Sequence, residues 1–199
     1  MATDIEICNL ALSHLGIGKE IASFTEKSQE AQACNRFFDE TRDTVMRSLA
    51  WPFATKFVTL GLVEEDPTSE WGFSYRYPSD CFTARRIFSG DRNDSPQTRV
   101  PYKLGNDDQG TLIYTDQEDA ELEYTVLVDD PQLWPADFRM ALSFLLAVYM
   151  APRLAAGDPF KLGERAATLY GRTMAAASAN AYNEQQDEQP PDAEMIRER

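Results

Sequence analysis

With 199 residues, 43% of them hydrophobic, the chain is long enough to bury a sizeable core, roughly 70% of its unfolded surface. Its 33 Asp and Glu outweigh 19 Lys and Arg, and the formal charge of -14 argues against a protein that grips nucleic acid by its phosphates, which takes clustered cations. Cys8, Cys34 and Cys81 are an odd number without CxxC spacing, so they indicate neither a disulfide framework nor a zinc site and read as buried free thiols in a reducing cytoplasm.

No export or membrane segment is expected. The first residues, MATDIEICNLALSHLG, carry acids where a signal peptide needs a basic region. The densest apolar run, residues 140–151, is too short for a hydrocarbon core of about 30 Å and reads as a buried helix.

In chain order, Thr3 and Glu6 have capping-box spacing ahead of an apolar stripe at Ile5, Cys8, Leu12 and Leu15, and Gly16 and Gly18 close this first helix. A second, longer helix is expected over 28–50. Cys34, Phe38, Thr41, Val45 and Leu49 lie down one side, and Glu30, Asp39, Arg42 and Asp43 are largely off it. Pro52 lacks an amide proton and restricts Trp51, which ends the helix, and two helices joined by a loop are expected to pack antiparallel.

The period changes after Phe53. KFVTLGLV, FSYRYP, the stretch near 83–88, TLIYT and 120–128 supply about five short strands, mostly antiparallel because their connections are too short for crossover helices. Over 120–128, Glu121, Glu123 and Thr125 alternate with Leu122, Tyr124 and Val126, predicting one wet and one buried face and a hairpin with TLIYT. GNDDQG marks another turn, and the polar stretch 89–99 reads as a mobile surface loop.

Helical spacing returns after Asp129, Asp130 and Pro131. Pro135 suits a first turn, Phe138, Leu142, Leu145 and Tyr149 form an apolar face, and Pro152 bends or ends that helix. Asp158 and Pro159 start a last helix whose stripe is Leu162, Ala166, Leu169, Thr173 and Ala176. From Glu184 onward the chain is polar, charged and proline-bearing, and is expected to be a flexible arm. The fold class is therefore α+β: an antiparallel helical body of about four helices (1–52 and 131–183), an inserted small antiparallel β lobe (53–130) and an extended arm (184–199).

Candidate chemistry is sparse. His14 is the single histidine, and its position near a helix end suits a capping or surface role, with no Ser or Cys tied to it by a motif. The pairs Asp107–Asp108 and Asp129–Asp130 lack calcium-loop spacing and sit beside Gly or Pro, where acids make turns. Arg85 and Arg86 are too few for a DNA-binding face. The aromatic residues Trp51, Phe53, Trp71, Phe73, Tyr75 and Tyr77 suit a core or a subunit interface, because base-stacking platforms work with basic grooves.

In ICNLALSHLG, in Ala31, Cys34, Phe37, Arg42 and Asp43, in LAWPFA and FSYRYPSDC, and loosely in the spacing from Leu162 to Tyr170, the chain resembles the tail tubular protein A-like head-to-tail adaptors of tailed bacteriophages. The resemblance spans nearly the whole length and is most specific in the first 82 residues. It implies a non-enzymatic virion protein without a cofactor, made in the host cytoplasm. Such a protein forms a homo-oligomeric ring, a dodecamer, beneath the portal protein and presents a surface to the downstream tail (nozzle) protein. DNA passes through the ring without specific binding, and no membrane is involved. The arm is expected to dock on the portal through Tyr182, Met195, Ile196, Arg197 and Arg199. Two other readings stay open: a head-completion or stopper protein of a long-tailed phage, and a hydrolase using an acidic pair such as Asp107 with Asp108 or Asp129 with Asp130.

Overall fold

The computed structural model describes residues 3–90, 99–155 and 160–184. It is an α+β fold with four α-helices and two antiparallel sheets, and it divides into a helical unit, Met1–Ala54 with Leu127–Asn183, and a β unit built on Thr55–Val126. The hand-over points are 54/55 and 126/127, against expected boundaries at 52/53 and 130/131.

In the helical unit, helix α1 (Asp4–His14) starts at a full capping box: the Glu6 amide donates to Thr3 Oγ1 at 3.2 Å and the Thr3 amide donates to the Glu6 carboxylate at 3.0 Å. Helix α2 (Gln29–Ser48) is capped by Ser28, whose hydroxyl accepts from the Ala31 amide, and it stops two residues short of the expected Ala50. Its buried side is Cys34, Phe38, Thr41 and Val45 as the spacing predicts, with Leu49 only half-buried. A short 3-10 turn, Pro52–Ala54, follows.

Helix α3 (Ala136–Leu154) is the element on which both α1 and α2 chiefly pack, so the expected direct pairing of α1 with α2 is a minor contact. The intervening loop is itself core: Ile21 is buried, and the Asn9 amide group bonds both its carbonyl (3.0 Å) and its N–H (2.9 Å), holding the loop against α1. Pro135 is the N-cap of α3 rather than a first-turn residue, and Pro152 sits inside the last turn, which runs on to Leu154. One proline near a C-terminus removes a single hydrogen bond, which is not enough to end the helix there. Helix α4 (Leu162–Glu184) buries small residues, Gly163, Ala166, Ala177 and Ala181, and not the expected Ala176. Asn180 Nδ2 donates to Asp137 on α3 at 2.8 Å. The expected start at Asp158 and Pro159, and most of the 89–99 loop, lie outside the described residues.

Among the described residues the β unit has seven strands rather than about five: β1 (Thr55–Thr59), β2 (Leu62–Glu65), β3 (Phe73–Arg76), β4 (Cys81–Ile87), β5 (Tyr102–Asp107), β6 (Gly110–Thr115) and β7 (Glu121–Val126). They form a three-stranded sheet, β1-β7-β4, and a four-stranded sheet, β2-β3-β6-β5. KFVTLGLV thus breaks at Leu60 and Gly61 and contributes one strand to each sheet. The expected hairpin of TLIYT with the following strand does not form, since β6 pairs with β3 and β5 while β7 pairs with β1 and β4. The chain switches sheets at 116–120, where the Tyr75 hydroxyl donates to the Gln117 carbonyl at 2.8 Å and the Leu60 amide donates to Ala120 O at 2.8 Å. Those bonds take the place of a hairpin ladder. The GNDDQG turn is real: Asp107 faces Gly110 at the tip of the β5–β6 hairpin, and Gly110 has φ 132, open to glycine and strained for any other residue.

Strand β7 corrects a second expectation. It is central in its sheet, and Glu123 and Thr125 are buried along with Leu122, Tyr124 and Val126, leaving only Glu121 exposed. A bulge between Ala84 and Arg86 on β4 brings both arginines within reach of that supposedly wet face. Arg85 Nε donates to Thr125 Oγ1 at 2.8 Å, and Arg86 Nε donates to the Glu123 carboxylate.

Candidate functional site

Of the six aromatic residues singled out in the sequence, two belong to the helical unit and four to the β unit. Trp51 is buried, its indole N–H donates to the Val45 carbonyl at 2.9 Å, and its ring meets Phe138 edge-on at 5.1 Å. Phe53 meets Phe138 at 5.3 Å and Trp134 approaches it at 5.1 Å, so Phe138 is the hub of a four-ring cluster. Helical spacing marks Phe138 as one residue of an apolar face and carries no signal for this role. Each such ring pair is worth about 0.5–1.5 kcal/mol beyond the area it buries.

In the β unit, Tyr75 is buried and its hydroxyl also accepts from the Ala120 amide at 3.5 Å. Burial, opposed by the Ala120 amide, raises its pKa. Phe73 stands 6.2 Å from it, and Trp71, Phe73 and Tyr77 are half-buried. Burial, with a hydrogen bond to Cys81, holds the Tyr77 hydroxyl well above its ordinary range. Tyr182 on α4 is exposed, whereas Met195, Ile196, Arg197 and Arg199 lie outside the described residues.

Large apolar side chains that the sequence reading did not mark are exposed in the β unit: Phe57 on β1, Leu62 and Val63 on β2, and Leu104 on β5. Phe57 leans on Phe88 at 5.7 Å, and the Arg86 guanidinium lies 4.6 Å over the Phe88 ring. Period-2 alternation signals which residues share a face; it carries no signal for which strands end a sheet.

Three of the four acids read as possible catalysts, Asp107, Asp129 and Asp130, have structural partners. Asp107 forms a two-pronged pair with Arg76 at 2.9 and 2.8 Å and accepts from the Gln109 amide; the Arg76 bonds above all hold its carboxyl at about 2, ionised at any ordinary pH. Asp129 pairs with Arg42 at 2.9 Å, and Asp130 closes a turn by accepting from the Gln132 amide. Burial raises the Asp4 carboxyl, against the pull of the same Arg42. A cleft of about 590 Å³ is lined by Val58, Leu60, Arg76, Tyr77 and Cys81. Its cation is committed to Asp107, and burial keeps the Cys81 thiol above its ordinary range, the wrong direction for a nucleophile.

His14 is half-buried and packs against α3. Its ring stacks on Phe144 at 4.3 Å and Nε2 lies 3.1 Å from Ser143 Oγ. The Ser143 hydroxyl also lies 2.8 Å from the Met140 carbonyl, and with its proton donated there the His14 Nε2–H is the donor to Ser143, opposite to a general base. Burial lowers the His14 pKa from 6.5. The unfolded chain therefore takes up the proton first, and the native state loses stability as pH falls below about 6.5 until the folded group also titrates. Urea unfolding of the protein and of His14→Gln should diverge in that direction on acidification; parallel curves from neutral pH downward would contradict it.

Cys8 and Cys34 are buried beside each other, and Cys34 Sγ lies 3.6 Å from Met150 Sδ. The bond to Cys34, and burial, hold the Cys8 thiol far above its ordinary range. Among the described residues no three His, Cys, Asp or Glu gather to hold a metal ion, and no helix is long and apolar enough to cross a membrane. No family model matches the chain, and none of the curated proteins matches it.

Proposed function

We propose that the chain is a structural virion protein, a head-to-tail adaptor of a tailed bacteriophage. In this reading about twelve copies ring the base of the portal, extend the DNA channel, and offer a surface to the tail nozzle protein. The observation that carries the reading is where the adaptor-like residues fall. LAWPFA stands at the hand-over between the two units, with Trp51 and Phe53 closed around Phe138, and FSYRYPSDC supplies β3 and the turn into β4. A helical unit interrupted by a β unit is the order that the resemblance implies.

The charge supports the same reading. A protein of formal charge -14 can line a channel without holding the DNA that leaves through it, since like charges repel and phosphate contacts would brake passage. Ring assembly needs two complementary patches on each copy, and an acidic chain that exposes Phe57, Leu62, Val63 and Leu104 has apolar surface to spend on contacts.

The test is deletion of residues 184–199, the proposed portal-docking arm. The full chain is expected to co-sediment with portal rings and the truncated chain to lose most of that binding. Unchanged co-sedimentation of the truncated chain would remove the arm from the proposal, and failure of the full chain to bind would remove the adaptor function itself.

A further inference from the structure

Among the described residues β2 and β5 are the two edges of one four-stranded sheet. An edge strand carries unpaired backbone donors and acceptors, a template for another strand. One cross-strand row runs the full width of this sheet: Leu62 faces Tyr75, Tyr75 faces Ile113, and Ile113 faces Leu104. The inner two are 2% and 0% exposed, whereas the two ends are 51% and 49% exposed. The row is core in its middle and half-wet at both edges.

The geometry points to a second copy of this chain as the missing neighbour: β5 of one copy pairs with β2 of the next, setting Leu104 beside Leu62 so that the row continues across copies. Strand direction fits. All pairings in the sheet are antiparallel, and with four strands the two edges run in opposite senses. A copy brought alongside without being flipped therefore meets β5 with an antiparallel β2, as inside the sheet.

Charge favours this pairing over β2 with β2. A two-fold β2 contact would bring the carboxylates of Glu64 and Glu65 from both copies to one seam, whereas β5 offers Lys103 next to Leu104. Lys103 reaches Glu70 at only 3.6 Å, with both side chains well exposed, a contact weak enough to exchange. The bulge between Leu62 and Glu64 adds Val63, also exposed, to the receiving edge. Because the two surfaces differ, the contact repeats from copy to copy and closes into a ring when the rotation allows. It would be the ring contact of the adaptor and rests on that reading for the expectation that copies assemble.

A disulfide trap tests it in full-length protein carrying Cys81→Ser. Opposed residues on paired strands lie about 4.5–5.5 Å apart at Cα, within disulfide range. Leu62→Cys and Leu104→Cys are combined in one chain, oxidised with and without portal rings, and resolved on a non-reducing gel. The expected result is a ladder beyond dimer, which neither single variant can form. No ladder in either arm, or homodimers of a single variant in place of the ladder, overturns the pairing. A ladder without portal binding leaves the pairing standing and removes the adaptor reading; portal binding without a ladder does the reverse. Should the cysteine variant misfold, a charge swap replaces it: Leu62→Asp and Leu104→Lys should each lower the sedimenting oligomer and together restore it, and no restoration counts against the pairing.

Discussion

Replacing Phe138 by Ala should destabilise the protein by about 3–5 kcal/mol, the largest single-residue loss expected in the helical unit. The ring is fully buried and is the common partner of Trp51, Phe53 and Trp134, at centroid distances of 5.1, 5.3 and 5.1 Å. Truncation removes three ring contacts at once and leaves a cavity walled by stiff aromatic residues, each held from its own side. Trp51 is tied to Val45 O and Trp134 Nε1 donates to Val128 O at 2.8 Å, so neither can swing in to fill the gap. Against a typical total stability of about 5–15 kcal/mol, such a loss leaves the fold marginal. Urea midpoints at constant m-value measure it, and Trp fluorescence reports the cluster directly. A loss below about 1.5 kcal/mol would mean that the site collapses around the smaller residue, and the hub description would be wrong.

The contrast between Phe138 and its own helix shows what the sequence could and could not disclose. Thr3 with Glu6 and the 34/38/41/45 row of α2 were legible, because each is a local signal with a single physical meaning. Helix α3 was legible as a helix but not in its facing. Leu142 is buried as the stripe predicts, yet the buried row continues through Leu146 and Met150, while Tyr149 is exposed and Leu145 half-buried. Where FLLAVYM is apolar nearly all round, periodicity cannot choose a side, and packing of both α1 and α2 on α3 decides it.

The β unit was legible as strands and not as sheets. TLIYT and ELEYTV look like a hairpin because they are adjacent, and adjacent strands usually pair. Here the Tyr75 hydroxyl, donating to Gln117 O and accepting from the Ala120 amide, satisfies the connection in another way and lets the strands part. The candidate interface followed the same rule. Tyr75 is buried in the middle of its row, whereas Leu62 and Leu104 stand at the two ends of it, a property of sheet order that alternation does not encode.

The second large effect is expected from the acid that alternation assigned to water. Glu123 is almost fully buried, and its carboxylate is met by Arg86, about a third exposed. Arg86→Met should cost about 2–3 kcal/mol, because it leaves a charge in the middle of a sheet without its partner; the open side of Arg86 keeps this below the 3–5 kcal/mol of a fully enclosed pair. Part of the loss is the stacking of Arg86 on Phe88, which methionine keeps in part through its own sulfur–aromatic contact. Glu123→Leu alone should cost less, since Arg86 can turn its head to solvent. The double variant, Arg86→Met with Glu123→Leu, should recover to within about 1 kcal/mol of the parent, because two apolar side chains of similar size suit a site where Phe57 is opposite residue 123 and Phe88 lies under residue 86. Such a cycle, run by urea denaturation, separates a buried ion pair from a surface one. If Arg86→Met costs less than about 1 kcal/mol and the double variant is no better than the sum of the singles, water rather than Arg86 satisfies Glu123, and β7 has the wet face that its alternation suggested.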